Sequence, residues 1–303
     1  MTMTDHETAH DEDPAVLAPV TSSRDSVKSS RAGRNLPAAV AVGLGLGALI
    51  VLSLFVRKEL FVLLATASVC VGVWELCQAL RAGGFRVPLV PSVVGCVSML
   101  TAAYVGGGQA LAVCFSLTCV AVLLWRVSDG VAGAARDING GFLVAAYPSL
   151  FAGFSSLLLA PADGAWRVFT FIAVTVASDI GGYAVGVLLG RHPMAPTISP
   201  KKSWEGFCGS VGVCMLVGAV CVHFPLHGPW WAGVALGAVV AVAATVGDLV
   251  ESTLKRDLGI KDMSNILPGH GGVMDRLDSI VMAAPVVWAT LVVLVPVSVS
   301  GRL

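Results

Sequence analysis

Charged side chains are scarce in this 303-residue chain, and their scarcity excludes an ordinary soluble domain. Only 13% of the residues are charged and 56% are hydrophobic, whereas a soluble globular domain usually carries about 25% charged residues. The charges are also segregated, which leaves apolar stretches close to the roughly 20 residues that a membrane helix needs. The formal net charge is zero, so overall charge gives no indication of nucleic-acid binding. The sequence therefore predicts a polytopic helical membrane protein.

The chain also lacks the cysteine and histidine patterns of metal sites and disulfide frameworks. None of its eight cysteines forms a C-x-x-C pair, and most lie inside apolar runs, so we interpret them as small buried hydrophobic residues. His192, His223 and His227 have no partner ligand at metal-binding spacing, which disfavours a zinc site. The sequence contains no internal repeat and no convincing catalytic triad.

Residues 1–35 differ in composition from everything that follows. Five acidic residues come first, followed by a serine- and threonine-rich stretch that contains Arg24, Lys28, Arg31 and Arg34. This segment has too few apolar residues to form a core, and we predict a disordered cytoplasmic tail. A signal peptide is not expected, because the apolar run begins late and many more follow it.

Nine apolar runs of membrane-spanning length follow the tail. They cover residues 36–56, 60–80, 87–105, 109–127, 140–160, 166–190, 207–226, 231–250 and 278–300. Cytoplasmic loops carry an excess of Lys and Arg. With the N-terminus inside, the inner face receives 15 of these residues and the outer face receives 4. We therefore predict an all-α fold of about nine transmembrane helices, with the N-terminus inside and the C-terminus outside.

Two carboxylates interrupt the predicted spans. Glu75 makes the second span marginal, and Asp179 lies within the sixth. A carboxylate inside a span is costly and usually faces a partner or an aqueous cavity. Asp179 therefore supports a functional interpretation, with a structural pairing to Lys201 or Lys202 as the alternative.

Polar residues concentrate in two segments on the predicted inner face. Residues 197–206 read TISPKKSWEG, and residues 248–279 hold six carboxylates beside four basic residues. Helical spacing places Asp248, Ser252 and Lys255 on one face of a helix that continues the eighth span. Carboxylates are hard oxygen ligands, and Lys and Arg neutralise phosphate charge, so this composition suits an Mg²⁺–polyphosphate complex. The simpler interpretation, solvated loop charges under the positive-inside rule, does not explain the carboxylates.

Two residues of these segments have alternative roles. His270 lies among glycines whose backbone amides could approach a ligand closely, and its spacing favours a binding or structural role over general-base catalysis. Trp204 is interpreted as an anchor at the membrane interface, with stacking on a nucleobase as the alternative.

The order of residues in the second segment resembles the signature of phosphatidate cytidylyltransferases, also called CDP-diacylglycerol synthases. The resemblance rests on the pattern STLKR-x₄-KD-x₅-PGHGG-x₂-DR-x-D, which begins at Ser252 and ends at Asp278. Upstream, the stretch 178–183 and the run SPKKSWEG resemble further motifs of that family, so the likeness extends over residues 178–279. No charged position departs from the signature.

The resemblance implies transfer of the cytidylyl group of CTP to phosphatidic acid, giving CDP-diacylglycerol and pyrophosphate with Mg²⁺, alone or with a second cation. It also implies an all-helical membrane fold and a homodimer. Asp248 and Asp275 would be the metal ligands. The implied catalytic residues are Asp248, Asp275, Lys255, Arg256, Lys261 and Arg276. The implied substrate-binding residues are Lys201, Lys202, Ser203, Trp204, Asp179, Ser252, Asp262, His270, Gly271, Gly272 and Asp278.

The residue types in these segments are consistent with direct attack of the lipid phosphate on the α-phosphorus of CTP. The second pKa of a phosphate monoester is about 6, so the lipid phosphate is already a nucleophile at neutral pH. Positioning and charge neutralisation at the α-phosphorus are then sufficient, and metal ions supply much of the neutralisation. We expect residues 36–170 to form a scaffold and residues 171–303 to form the catalytic helices with a cytoplasmic signature loop, 248–279. CTP, phosphatidic acid and the bilayer of the inner (plasma) membrane are the expected partners, without nucleic acid.

Two alternatives compete with this interpretation. A transporter could line an ion path with Asp179 and Asp248, but the interiors of spans one, three, four, seven and nine lack ionisable residues. A related CTP-dependent membrane enzyme could use another lipid acceptor, such as a polyprenol or an ether lipid. The full signature favours phosphatidate.

Overall fold

The computed structural model describes residues 36–264, 266 and 271–297, and these residues are mostly helical. The helices are α1 (Leu36–Val56), α2 (Lys58–Ala82), α3 (Leu89–Ser128), α4 (Ala134–Val144), α5 (Phe151–Leu159), α6 (Gly164–Leu189), α7 (Trp204–His223), α8 (Trp230–Asp257) and α9 (Met274–Leu294). A π-helical segment, Ala145–Leu150, joins α4 to α5 without a break. Two short antiparallel strands, β1 (Pro193–Ala195) and β2 (Ser199–Ser203), lie between α6 and α7. The predicted tail, residues 1–35, lies outside the described residues.

Within the described part of the chain, seven helical stretches are long and apolar enough to cross a membrane. They are α2, α3, the continuous stretch from α4 through α5, α6, α7, α8 and α9. The prediction of an all-α, polytopic membrane protein is confirmed. The number of crossings and the orientation of the termini stay predictions.

Helix α3 reverses direction at Gly107. A straight helix of its 40 residues would be about 60 Å long, twice the roughly 30 Å of a bilayer hydrocarbon core. Gly107 has φ 69° and ψ −161°, a conformation that side chains other than hydrogen rarely allow. Thr118 packs so closely on Gly95 that a Cβ there would overlap its side chain, so the two halves of α3 are antiparallel. They coincide with the predicted spans 87–105 and 109–127.

Glycines allow the helices around the candidate site to touch through their backbones. A Cβ on Gly181 of α6 would stand 2.8 Å from the carbonyl oxygen of Gly209 in α7. Gly233 and Gly237 of α8 meet the backbone of α7 even more closely. Such close approach is the usual role of small residues at membrane helix interfaces, and here it brings α6, α7 and α8 together beside the β1–β2 hairpin.

A buried ion pair joins the loops at one end of the molecule. Arg126 and Asp137 are each 1% exposed, and the Arg126 Nε lies 2.9 Å from Asp137 Oδ2. The Arg126 guanidinium also donates to the carbonyl oxygens of Gly130 (2.8 Å) and Ala132 (2.6 Å). The second carboxylate oxygen of Asp137 accepts the backbone N–H of Arg86 at 2.9 Å. One carboxylate therefore connects the end of α3, the start of α4 and the loop after α2.

The prediction that the cysteines are buried hydrophobic residues holds for half of them. All eight are free thiols, and four of them are buried while Cys208 is exposed. No group of three or more His, Cys, Asp or Glu side chains among the residues that the structure describes is arranged to hold a metal ion.

Candidate active site

A cavity of about 350 Å³ lies between α6, the β1–β2 hairpin, α7 and α8. This volume is within the range of about 300–1,000 Å³ that is usual for small-molecule sites. The cavity is lined by five of the residues predicted from sequence: Asp179, Lys201, Lys202, Ser203 and Asp248. Segments of the chain that are up to 69 residues apart, from Asp179 to Asp248, thus converge on one cavity.

Local contacts hold the lysine-bearing hairpin against the start of α7. The Ser203 Oγ accepts the backbone N–H of Gly206 at 3.1 Å and caps the helix, which satisfies one of the free N–H groups of a helix N-terminus. Glu205 accepts the backbone N–H groups of Arg191 (3.1 Å) and His192 (3.2 Å). The backbone of Trp204 donates to the carbonyl oxygen of His192 at 3.0 Å. The hairpin is therefore fixed at both of its ends.

The two lysines of the hairpin have different surroundings. Lys202 Nζ lies 2.6 Å from Asp248 Oδ2 of α8 and 3.4 Å from the carbonyl oxygen of Thr245. Lys201 is exposed at the cavity. The ion pair of Lys202 is therefore with Asp248, whereas the sequence had suggested Asp179 as its alternative partner.

Asp179 faces the cavity from α6 because small residues surround it. A Cβ on Gly182 would stand 2.6 Å from the Ser210 Oγ of α7, and that hydroxyl donates to the carbonyl oxygen of Ser178 at 2.6 Å. The close contact of α6 with α7 leaves Asp179 exposed at the cavity. The carboxylate inside a predicted span thus lies at a polar cavity, as the cost of burying it in a bilayer predicts.

A second polar cluster lies where α8 ends and α9 begins. Lys255 Nζ is 2.8 Å from Asp275 Oδ1 and 3.1 Å from Glu251 Oε2. Asp275 Oδ2 also accepts the backbone N–H of Gly272 (2.7 Å) and that of Met263 (3.0 Å). Asp275 therefore organises the connection between the two helices from within the first turn of α9.

Glu75 of α2 belongs to the same cluster and was not among the predicted site residues. Its carboxylate is 0% exposed and accepts the backbone N–H groups of Val273 (2.9 Å) and Met274 (2.7 Å). The hydroxyl of Ser264 also donates to it. The signal available in the sequence was the position of a carboxylate inside an apolar span, which had been interpreted only as weakening that span.

The remaining predicted residues lie around these two groups. Ser252 is one helical turn from Asp248, and the two side-chain oxygens are 3.5 Å apart. Asp278 is buried in α9 and interacts with Glu251. Exposed positions are occupied by Trp204, Arg256, Lys261, Asp262 and Arg276. Gly271 and Gly272 immediately precede α9, and His270 lies outside the described residues.

The residue types of the site are those that bind divalent cations, although no three of them are gathered around one point in the part of the chain that the structure describes. Five carboxyl groups stand at the cavity and the adjoining cluster, together with Lys201, Lys202, Lys255 and Arg276; the five are Asp179, Asp248, Glu251, Asp275 and Asp278. Glu251 is buried and its carboxyl group lies beside that of Asp278, and two adjacent carboxyl groups favour a shared proton or a bound cation. Carboxylate oxygens are the ligands that Mg²⁺ prefers in proteins.

A helical membrane protein that combines lysines and carboxylates in one cavity has the features of an enzyme acting on a phosphate-bearing substrate. Residues 37–294 match the model of the cytidylyltransferase family. The chain belongs to the cytidylyltransferase family, and it is a nucleotidyltransferase. Enzymes of this family generally use a divalent cation.

Individual relatives cover most of the chain. It is 42% identical over 291 residues to a phosphatidate cytidylyltransferase of Mycobacterium leprae (strain TN), with 89% of this chain and 92% of that protein covered. A protein of the same name from Mycobacterium tuberculosis (strain ATCC 25618 / H37Rv) is 38% identical over 283 residues, with 89% and 86% covered. One from Synechocystis sp. (strain ATCC 27184 / PCC 6803 / Kazusa) is 45% identical over 123 residues, 40% of this chain and 41% of the relative.

Proposed function

We propose that the protein transfers the cytidylyl group of CTP to phosphatidic acid, giving CDP-diacylglycerol and pyrophosphate. The observation that carries this proposal is the convergence of Asp179, Lys201, Lys202 and Asp248 on one cavity of a membrane-embedded cytidylyltransferase. Relatives that share most of its length are named phosphatidate cytidylyltransferases. A lipid acceptor also explains why the site of a soluble nucleotide lies between membrane helices.

The proposed chemistry is a single displacement at the α-phosphorus of CTP. A phosphate oxygen of phosphatidic acid forms the new P–O bond, and the bond to the bridging oxygen of the β-phosphate breaks, which releases pyrophosphate. The lipid phosphate is largely ionised at neutral pH, so no side chain has to remove a proton from it. What remains is to hold two highly charged reactants together in the correct orientation.

In the proposal, basic side chains neutralise the negative charge of the phosphate groups. Lys201 and Lys202 lie at the cavity and would donate to phosphate oxygens, which charge-assisted hydrogen bonds favour. Lys255 is held between Glu251 and Asp275. The further phosphate contacts that we propose are Arg256, Lys261 and Arg276.

Mg²⁺ is the proposed cofactor, alone or with a second cation, and Asp248 and Asp275 are its proposed ligands. Asp248 lines the cavity with a side chain that is 38% exposed. Asp275 is held in place by Lys255, Gly272 and Met263, so it would exchange part of this hydrogen bonding on binding a cation. When bound, the ion would neutralise charge on the polyphosphate and the departing pyrophosphate.

We also propose a location in the inner (plasma) membrane with the active site on the cytoplasmic face, and assembly as a homodimer without a nucleic-acid partner. The excess of Lys and Arg in the predicted inner loops supports this orientation. The cavity lysines lie between α6 and α7 on the same predicted face.

The test uses the purified full-length protein in lipid nanodiscs with CTP, Mg²⁺ and phosphatidic acid. We expect pyrophosphate and CDP-diacylglycerol in equal amounts, and neither when phosphatidic acid is omitted. ATP, GTP and UTP serve as nucleotide controls, and a polyprenol and an ether-linked phosphatidate serve as acceptor controls. No product with any nucleotide would overturn the enzymatic proposal, and product only with another acceptor would overturn the substrate assignment.

A further inference from the structure

Glu75 occupies an unusual position for a carboxylate. It lies within α2, which is one of the helices able to span a membrane, and it is 0% exposed. Burying a carboxylate in an apolar environment is expensive unless hydrogen bonds or opposite charge compensate it. The compensation here comes from a segment of the chain nearly 200 residues away.

Besides the Ser264 hydroxyl, the partners of Glu75 are the first free N–H groups of α9. Val273 and Met274 donate their backbone N–H groups to different oxygens of the carboxylate, at 2.9 and 2.7 Å. The residue at the N-cap position of α9 is Val273, whose side chain is unable to accept a hydrogen bond. Glu75 therefore supplies from α2 the cap that a local Ser, Thr, Asp or Asn usually supplies. Its negative charge also lies at the positive end of the α9 dipole.

The same carboxylate borders Asp275 through Gly272. A Cβ on Gly272 would stand 2.8 Å from a Glu75 oxygen and 3.0 Å from Asp275 Oδ2. The Gly272 N–H donates to Asp275, while the next two N–H groups donate to Glu75. Three consecutive N–H groups are thus bound by two carboxylates, that of Gly272 by Asp275 and the next two by Glu75. The position of one carboxylate therefore constrains that of the other.

We propose that Glu75 is a positioning residue, which fixes the start of α9 and with it the Asp275 carboxylate at the active site. The catalytic part of this inference rests on the proposed function. The residue does not touch substrate in this assignment, and it acts through the backbone of Val273 and Met274. The first membrane helices then contribute directly to the active site, in addition to any role as scaffold.

The central variant is Glu75→Gln, which keeps the size of the side chain but replaces one acceptor oxygen with an NH₂ group. This group would face a backbone N–H and leave it unsatisfied. We expect kcat to fall about 10- to 100-fold, since displacement of a catalytic group by about 1 Å has effects of this order. We expect the KM for CTP to change less than about twofold, because the cavity lysines are on other elements.

A second readout does not depend on catalysis. Hydrogen exchange of the full-length protein in nanodiscs, without substrate, should be faster in Glu75→Gln at the amides of residues 272–275 and unchanged in α6 and α7. Glu75→Asp retains the charge and should recover part of both effects. The matched control is Glu59→Gln, which removes the same charge from an exposed position about 24 Å away along α2 and should behave as wild type.

Gly272→Ala tests the inference independently and serves if Glu75→Gln fails to fold. It leaves Glu75 in place but inserts a methyl group between the two carboxylates, so a similar loss of kcat is expected. Wild-type kcat and exchange in both Glu75→Gln and Gly272→Ala would overturn the inference. If the wild type forms no product from CTP and phosphatidic acid, the proposed function and the catalytic role of Glu75 both fail, whereas the exchange rates still decide whether Glu75 holds α9.

Discussion

Lys202 of the β1–β2 hairpin and Asp248 of α8 form an ion pair of 2.6 Å and both line the cavity. Their side chains are 23% and 38% exposed, and ion pairs with this exposure contribute only about 0–1 kcal/mol to stability. The pair is therefore more important for the chemistry of the cavity than for the fold. It keeps a cation and a carboxylate at the position where a polyphosphate and a metal ion are proposed to bind.

Replacing Lys202 should reduce activity without destabilising the protein. A hydrogen bond to a charged group contributes about 1.5–3 kcal/mol, so Lys202→Ala should lower kcat/KM for CTP about 10- to 100-fold. The measurement is steady-state pyrophosphate release, together with the melting temperature in detergent. Arg57→Ala, at the turn between α1 and α2, is the matched control and should change neither quantity. Wild-type kinetics for Lys202→Ala would contradict a role in phosphate binding.

Asp275→Asn should abolish pyrophosphate release. An amide offers one acceptor oxygen, and in either orientation its NH₂ group would face another donor, the Lys255 ammonium on one side or the Gly272 N–H on the other. It would also lose the charge that holds Lys255. A titration with Mg²⁺ after treatment with EDTA measures the metal dependence in wild type and variant. Asp257→Asn, at the exposed end of α8, is the control; full activity with unchanged Mg²⁺ dependence in Asp275→Asn would refute the metal assignment.

Asp137→Asn tests the buried ion pair at the end of α3. The substitution leaves the Arg126 guanidinium buried without its counter-charge, and removing one partner of a buried pair costs about 3–5 kcal/mol. We expect a clearly lower melting temperature, whereas kcat per folded molecule should be preserved because neither residue of the pair lines the cavity. Asp129→Asn, an exposed neighbour, should melt as wild type does. An unchanged melting temperature in Asp137→Asn would show that the loops do not depend on this carboxylate.

The sequence predicted the helices well because each is a local apolar run. The spans 87–105 and 109–127 match the antiparallel halves of α3, and the expected extension of the eighth span is seen in α8, which continues to Asp257. Periodicity and length determine such features over short distances along the chain. The bounds were less accurate where polar residues continue a helix beyond the apolar region.

The sequence predicted only part of the site, because local patterns do not determine contacts between distant segments. The signature residues that converge are close in sequence or were carried over from the family resemblance, but Glu75 was missed because its partners Val273 and Met274 are contacted only in the folded chain. The partner of Lys202 was likewise undetermined by spacing, since Asp179 lies within the predicted sixth span and Asp248 near the inner end of the eighth. Which carboxylate pairs with which cation depends on how α6 and α8 pack, and no local pattern contains that information.

The orientation of the helices makes a prediction that labelling can test. Lys58 at the start of α2 donates to the carbonyl oxygens of Pro161 and Ala162, so the turn before α2 and the turn before α6 lie at the same end of the bundle. The Lys and Arg counts place that end outside and the α8–α9 connection inside. Ile266→Cys should therefore react with a membrane-impermeant maleimide only from the cytoplasmic side, and Ala162→Cys only from the opposite side. Wild-type protein provides the background from native thiols such as the exposed Cys208, and the reverse pattern would overturn the proposed orientation and, with it, the cytoplasmic placement of the active site.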